Sequence, residues 1–316
     1  MMLRKEFFIR LLKIFLSVLL LIVVVYYIGI DKIMQTFLSM NLIYLPFIFV
    51  LFAFNIFLAP ISSIFLYFPI KSKNVSASEF YHLRLFTSML GSFTPGKLGE
   101  YSLLYILKKY HNTKIIPIFF IISLDKIITL FCILLFSLVA FLFLFNYFNL
   151  AIYVVVLLLF FMISFFFSRF VIHKIRWVSV HLFRIKRLHD FFYTIGDLLK
   201  QYLKKYYMYI FANLVMTFLL QLLVAYITKE TYAAFSFSIP LFSVFLVNSV
   251  IGLLSFIPLN LFGFGIKEIT SIYLYTLLGV PPAVTTSSIL IFILFRYVIY
   301  LLYFASREFS FGKTTL

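Results

Sequence analysis

The sequence predicts an all-α, polytopic transmembrane helical bundle of about eight spans, plus one re-entrant or broken helix and a possible internal pseudo-repeat. Three observations predict it. Of 316 residues, 64% are hydrophobic and 12% charged, with a mean hydropathy of +1.12, whereas a soluble domain is about half apolar and a quarter charged. That balance excludes a cytosolic enzyme. Apolar runs close to the ~20 residues needed to cross the hydrocarbon core recur along the whole chain. Lys and Arg concentrate in alternate connections between these runs.

The first run, 11–30, has an apolar stretch from Ile14 to Ile30 behind four basic residues in 1–13 and superficially matches a signal peptide. No small-residue cleavage site follows it and many apolar runs do, so it is read as a retained span. The others are 43–67, 115–145, 151–168, 206–228, 239–258, 261–278 and 284–304. A ninth stretch, 84–107, is broken by Gly91, Pro95, Gly96, Lys97 and Gly99, and reads as re-entrant or interfacial rather than as a span. Residues 1–316 are taken as a single integral membrane domain. Within it, 169–205 forms a basic cytoplasmic loop whose second half places Phe191, Ile195, Leu198 and Tyr202 at helical spacing, the pattern of a helix lying on the membrane surface.

Orientation follows from charge. With the N-terminus inside, 1–13, 71–114, 169–205 and the C-terminal tail carry 4, 7, 9 and 2 Lys or Arg, or 22 of the 27. The opposite connections hold only Lys32 and Lys229, each beside an acid. The expected location is the cell (plasma) membrane, multi-pass, with N- and C-termini cytoplasmic. The net charge of +17 then reports topology and anionic headgroups, and no nucleic-acid partner is expected. The single cysteine, Cys132, lies in an apolar run, which leaves no disulfide framework or cysteine metal site.

Glycine is scarce, yet seven of the ten fall in two windows. Gly91, Gly96 and Gly99 occupy the first, around Pro95-Gly96-Lys97-Leu98-Gly99-Glu100. Gly252, Gly263, Gly265 and Gly279 occupy the second, around Pro258 and Gly263-Phe264-Gly265-Ile266-Lys267-Glu268. Each sets Pro and Gly just ahead of a Lys and a Glu. Pro removes a donor and Gly permits a bend, so each window would expose N–H groups at the start of a half-helix, where an anion such as phosphate is favoured. Matched interruptions of this kind point to a transporter binding site, though turns between spans would read the same way.

Ionisable residues in apolar segments are costly unless paired or hydrated. Asp125 and Lys126 lie in the third span, Lys267 and Glu268 open the seventh, and Arg296 is midway along the eighth. With Lys97 and Glu100 they leave one net positive charge, which a phosphate would neutralise; interhelical ion pairs that fix packing are the alternative. The five histidines fall in predicted loops without metal-ligand spacing, and no Walker A motif, Gly-x-Ser-x-Gly elbow or Asp-rich motif occurs. No cofactor and no metal site is expected.

These windows, with Asp125-Lys126 one helix after the first, Leu278-Gly279-Val280 and Phe295-Arg296-Tyr297, stand in the order and spacing of a known family. The chain resembles the lysylphosphatidylglycerol synthase transmembrane region, also called the flippase-like domain family, over nearly its whole length. It departs where the family often places Arg shortly after the Gly-Glu pair, since Ser102, Leu103 and Leu104 stand here. The resemblance implies a helical bundle that handles phospholipids or polyprenyl-phosphate lipids. Synthase members carry a soluble aminoacyl-transfer domain after the membrane region, so aminoacyl transfer is not expected of this polypeptide alone.

The expected activity is therefore that of a lipid translocase or lipid-binding membrane protein, whose partners are anionic or polyprenyl-phosphate lipids. Its substrate-binding residues would be Pro95, Gly96, Lys97, Gly99, Glu100, Asp125, Lys126, Gly263, Gly265, Lys267, Glu268 and Arg296. Two alternatives stay open. One is a membrane-embedded transferase using a lipid-phosphate donor, with Glu100, Asp125 or Glu268 as general base. The other is a non-catalytic membrane partner of a separate glycosyltransferase or synthase.

Overall fold

The computed structural model describes residues 29–144, 186–254 and 266–306. Among them the chain forms ten α-helices, two 3-10 segments and no strand, so every span satisfies its backbone hydrogen bonds internally. Four helices are long and apolar enough to cross a bilayer: Tyr44–Ile70, Ile115–Ala140, Tyr207–Ala234 and Pro282–Ala305. They correspond to the second, third, fifth and eighth expected spans. The first, 11–30, and the fourth, 151–168, lie outside the described residues but for the end of the first.

In chain order, α1 (Ile30–Leu38) follows Gly29, and α2 (Tyr44–Tyr67) continues through a 3-10 turn to Ile70. Then come α3 (Ala77–Ser92), a 3-10 segment over Pro95–Tyr101, α4 (Ser102–His111) and α5 (Ile115–Leu144). The second half holds α6 (Lys186–Lys204), α7 (Tyr207–Ala234), α8 (Leu241–Leu254), α9 (Ile266–Leu277) and α10 (Pro282–Ala305). Two boundaries depart from the sequence reading. Residues 31–38, read as a connection, are helical, with Asp31 favourably placed in the positive first turn. Helix α7 continues past 228, so the Lys229–Glu230 pair at 3.1 Å sits on its last turns.

The sixth and seventh expected spans are represented by α8 and α9, of 14 and 12 residues. At 1.5 Å per residue these reach about 21 and 18 Å, less than the ~30 Å hydrocarbon thickness. Residues 255–265 between them lie outside the described part.

The broken stretch is a hairpin. Helix α3 has 16 residues and α4 has 10, too short to cross alone. Their outer ends meet: the Asn74 side-chain amide donates to the His111 carbonyl at 3.1 Å, and the His111 ring nitrogen lies 3.4 Å from Glu79. The chain therefore turns back on itself between α3 and α4, where its glycines and proline predict a break.

The fold divides into two compact units. Unit 1 comprises Met1–Leu58, Leu85–Glu100 and Leu219–Leu316. In it α1 packs on α10, and α8, α9 and α10 are successive neighbours. The α9–α10 turn needs Gly279 at φ +83°, a conformation side chains resist. Rings of α2 and α10 interlock, with Phe49 and Phe295 edge-to-face at 5.1 Å and Phe52 stacked on Phe292 at 5.6 Å. The Asn41 N–H donates to the Ala234 carbonyl at 2.9 Å, tying the segment after α1 to the end of α7.

Unit 2 comprises Ala59–Arg84 and Tyr101–Phe218. Here α6 lies against α5. The face bearing Phe191 and Tyr202 meets Phe119 and Phe120, with ring centres 5.6 and 5.2 Å apart, and the Tyr202 hydroxyl donates to the Leu66 carbonyl. Burial pushes the Tyr202 phenol far above its ordinary range. An apolar face that the sequence assigns to the membrane surface is thus covered, at these positions, by protein. The preceding basic segment, 169–185, lies outside the described residues.

Candidate functional site

Each unit contains a cluster of buried polar side chains. In unit 1 the cluster begins at the hairpin tip. A Cβ on Gly99 would stand 2.5 Å from the Leu90 carbonyl oxygen and 2.8 Å from the Gly91 nitrogen. Only glycine allows that approach. A Cβ on Gly91 would stand 2.7 Å from Cγ of Glu100. Thr94 stitches the tip, its hydroxyl accepting from the Gly99 N–H at 2.7 Å and donating to the Gly91 carbonyl at 3.2 Å. The Gly99 N–H is therefore engaged by Thr94, where the sequence reading left it open to an anion. No clean helix start follows either, because the 3-10 segment runs directly into α4.

This closure places Glu100, 3% exposed, in a fixed position. Glu100 and Arg296 are both charged neighbours of the Tyr300 hydroxyl, which lies 2.8 Å from the Ser92 hydroxyl. The Phe93 ring adds contacts to Tyr297 and Tyr300 at 5.6 and 6.1 Å. Arg296, one turn before Tyr300 on α10, is also a charged neighbour of Lys267, as is Glu268. Glu268 stands in the first turn of α9 and is 7% exposed. Arg296 is thus common to both sets of charges, acting on Tyr300 together with Glu100 and on Lys267 together with Glu268.

Pro95, Gly96 and Lys97 form the first turn of the 3-10 segment; their side chains lie outside the described structure. Gly263 and Gly265 are likewise outside the described residues.

Asp125 and Lys126 belong to unit 2. Asp125 is the centre of its own network. Its carboxylate accepts from Ser62 at 3.2 Å, Ser63 at 2.9 Å, Asn213 at 2.8 Å and the Arg84 guanidinium at 3.2 Å. Arg84 also donates to the Ser63 hydroxyl at 3.0 Å, and Asn213 to the Ser62 carbonyl at 2.7 Å. All five residues are buried. Lys126 is half-buried beside it.

Arg84, Ser62, Ser63 and Asn213 were missed as site residues. In the sequence Arg84 only opens the broken stretch 84–107 and adds to the basic charge of 71–114. The available signal was a polar pair, Ser62-Ser63, and a lone Asn213 inside otherwise apolar runs, each needing a partner in hydrocarbon. Among the described residues no three of His, Cys, Asp and Glu come close enough to hold a metal ion.

The model of the lysylphosphatidylglycerol synthase transmembrane region matches residues 10–303. The chain belongs to this family. It is a membrane protein of a lipid-related type. Comparison with curated proteins and with solved structures returned no match. In this member of the synthase transmembrane-region family, the Pro-Gly-Lys-Leu-Gly-Glu stretch is the hairpin tip, and Gly99 and Glu100 are the residues whose geometry shapes it.

Two predictions test these clusters. Gly99→Ala must push apart two backbones, whereas Gly91→Ala meets a movable Glu100 side chain. The first is expected to cost about 2–3 kcal/mol and the second about 1 kcal/mol, read as loss of thermal stability in detergent. Arg84→Leu strands the Asp125 charge and is expected to destabilise by about 3–5 kcal/mol. The double variant Arg84→Leu/Asp125→Leu recovers much of that loss, measured in the same unfolding assay.

Proposed function

We propose that this protein binds lipids with an anionic, phosphate-bearing headgroup and moves them between leaflets, with the charged cluster of unit 1 as the headgroup site. The observation that carries this reading is the pair of linked charge sets in unit 1, Glu100 and Arg296 at Tyr300 and Lys267 with Glu268 and Arg296, with Glu100 and Glu268 both buried. Such charges are costly in lipid and mark substrate pathways when they persist. Membership of a lipid-related family supports the same reading.

The chemistry would be binding without covalent change. Lys267 and Arg296 supply two cations, and a guanidinium can grip a phosphate through two parallel N–H donors. Glu268 and Glu100 hold those cations in place when no headgroup is bound. The anion then exchanges with the carboxylates for the same donors, while the acyl chains stay in the bilayer.

Lys267→Ala and Arg296→Ala are each expected to slow scrambling of a fluorescent phospholipid in proteoliposomes by about 10-fold or more, as loss of a charge-assisted bond implies. The variants should elute as the folded protein on size exclusion. Folded variants that scramble at the unaltered rate would refute the site. Product formed from a lipid-linked donor would instead favour the transferase, and co-purification of a synthase with no transport by the isolated chain would favour a partner role.

A further inference from the structure

Helix α1 (Ile30–Leu38) presents three different faces along its length. Successive residues turn about 100° around a helix axis, so Ile30, Met34 and Leu38 share one face, and they are 64, 57 and 83% exposed. The next face carries Asp31 and Gln35, both exposed, with exposed Lys32 beyond them. On the remaining side Ile33 is buried and Phe37 half-buried, and α1 packs on α10. Around the axis the order is protein, apolar, polar.

The contacts after α1 fix where it lies in unit 1. The Asn41 N–H donates to the Ala234 carbonyl at the end of α7, and the Asn41 side-chain oxygen accepts from the Ile43 N–H at 3.1 Å, just before α2 starts. Phe49 and Phe57 of α2 meet Phe295 and Tyr303 of α10. These two helices therefore run parallel, and both begin at the end of the unit where α1 sits.

The exposed apolar face does not stop at Leu38. Leu42 and Ile43 are exposed too, and Phe47, Val50 and Phe54 follow Ile43 at helical spacing, all exposed. The last three lie on a helix long and apolar enough to cross a bilayer, where an exposed apolar side chain meets acyl chains. The α1 face continues this lipid-facing side, and that continuity names its occupant as the bilayer.

The angle of the helix follows from its faces. At 1.5 Å per residue α1 is about 14 Å long, and its apolar and polar faces both run from end to end. An upright helix would put the polar face in hydrocarbon or the apolar face in water at every depth. Only an axis parallel to the membrane surface gives each face its own medium.

We infer that α1 is an interfacial helix lying in the plane of the membrane, with Ile30, Met34 and Leu38 in the boundary between headgroups and acyl chains and its flank on α10. The bilayer surface is its partner. Asp31 and Lys32 cancel, so apolar area rather than headgroup charge holds it there. The inference goes beyond the transport reading and does not depend on it.

Spin labels on Asp31→Cys, Met34→Cys, Gln35→Cys and Leu38→Cys, each in the full chain with Cys132→Ala, would be read by power-saturation EPR in nanodiscs of phosphatidylcholine and of phosphatidylglycerol. In both lipids, labels at 34 and 38 are expected to favour oxygen over a water-soluble nickel chelate, at a depth of about 5–10 Å into the boundary, and labels at 31 and 35 to favour the chelate. Chelate access at all four sites, oxygen preference at all four, or shielding of 34 and 38 from both probes, as a second copy or another protein would cause, overturns the inference. So does seating in phosphatidylglycerol alone. Should the Cys132→Ala background lose its fold, a water-soluble maleimide applied with the buried Cys132 retained reads the same contrast. Fast reaction at 31 and 35 with slow reaction at 34 and 38 supports the in-plane helix, and equal rates at all four refute it.

Discussion

Hydrocarbon offers no hydrogen-bond partner, and that constraint organises everything described in this chain. A helix meets it by pairing its own backbone, and an interrupted helix must find another solution. At the hairpin between α3 and α4 the solution is contact between two backbones. Gly99 rests on Leu90 and Gly91 so closely that a single methyl group would collide, and the Thr94 hydroxyl serves the polar groups that the break uncovers. Closure of this tip is what lets a stretch with Pro95, Lys97 and Glu100 exist in so apolar a chain.

The same closure has a chemical consequence. With Gly91 lacking a side chain, Glu100 lies against it and is held where its charge reaches Tyr300. Tyr300 and Arg296 sit one turn apart on α10, and Arg296 carries the connection on to Lys267 and Glu268. A backbone requirement at two glycines thereby becomes the placement of one carboxylate in a four-charge cluster. Family membership says that the protein is lipid-related; this geometry supplies a physical reason for the Gly-Glu pair.

The two buried clusters differ in kind. Asp125 in unit 2 receives four donors, including the Arg84 guanidinium, and a carboxylate so fully matched resists change because any new partner must displace an existing one. It reads as a clasp for the helices that supply it. The unit 1 charges are two carboxylates and two cations distributed over the 3-10 segment, α9 and α10. On the reading proposed above, buried charge serves structure in one unit and binding in the other.

What the residues alone determined was whatever depends on local chemistry. Composition and run length specify apolar helices, basic residues mark the connections, and the Gly-Pro window at 91–99 announces a broken helix, because glycine spacing and proline act through the nearby backbone. The pairing of charges was not legible in this way. Linear order does not reveal that Asp125 is held by Arg84, Ser62, Ser63 and Asn213. Likewise the apolar face of α6, read as a membrane-surface face, meets Phe119, Phe120 and Leu66. Both outcomes depend on which helix faces which, and at what rotation about its axis. That is settled by side-chain packing between segments far apart in the chain, so only the tertiary structure could decide it.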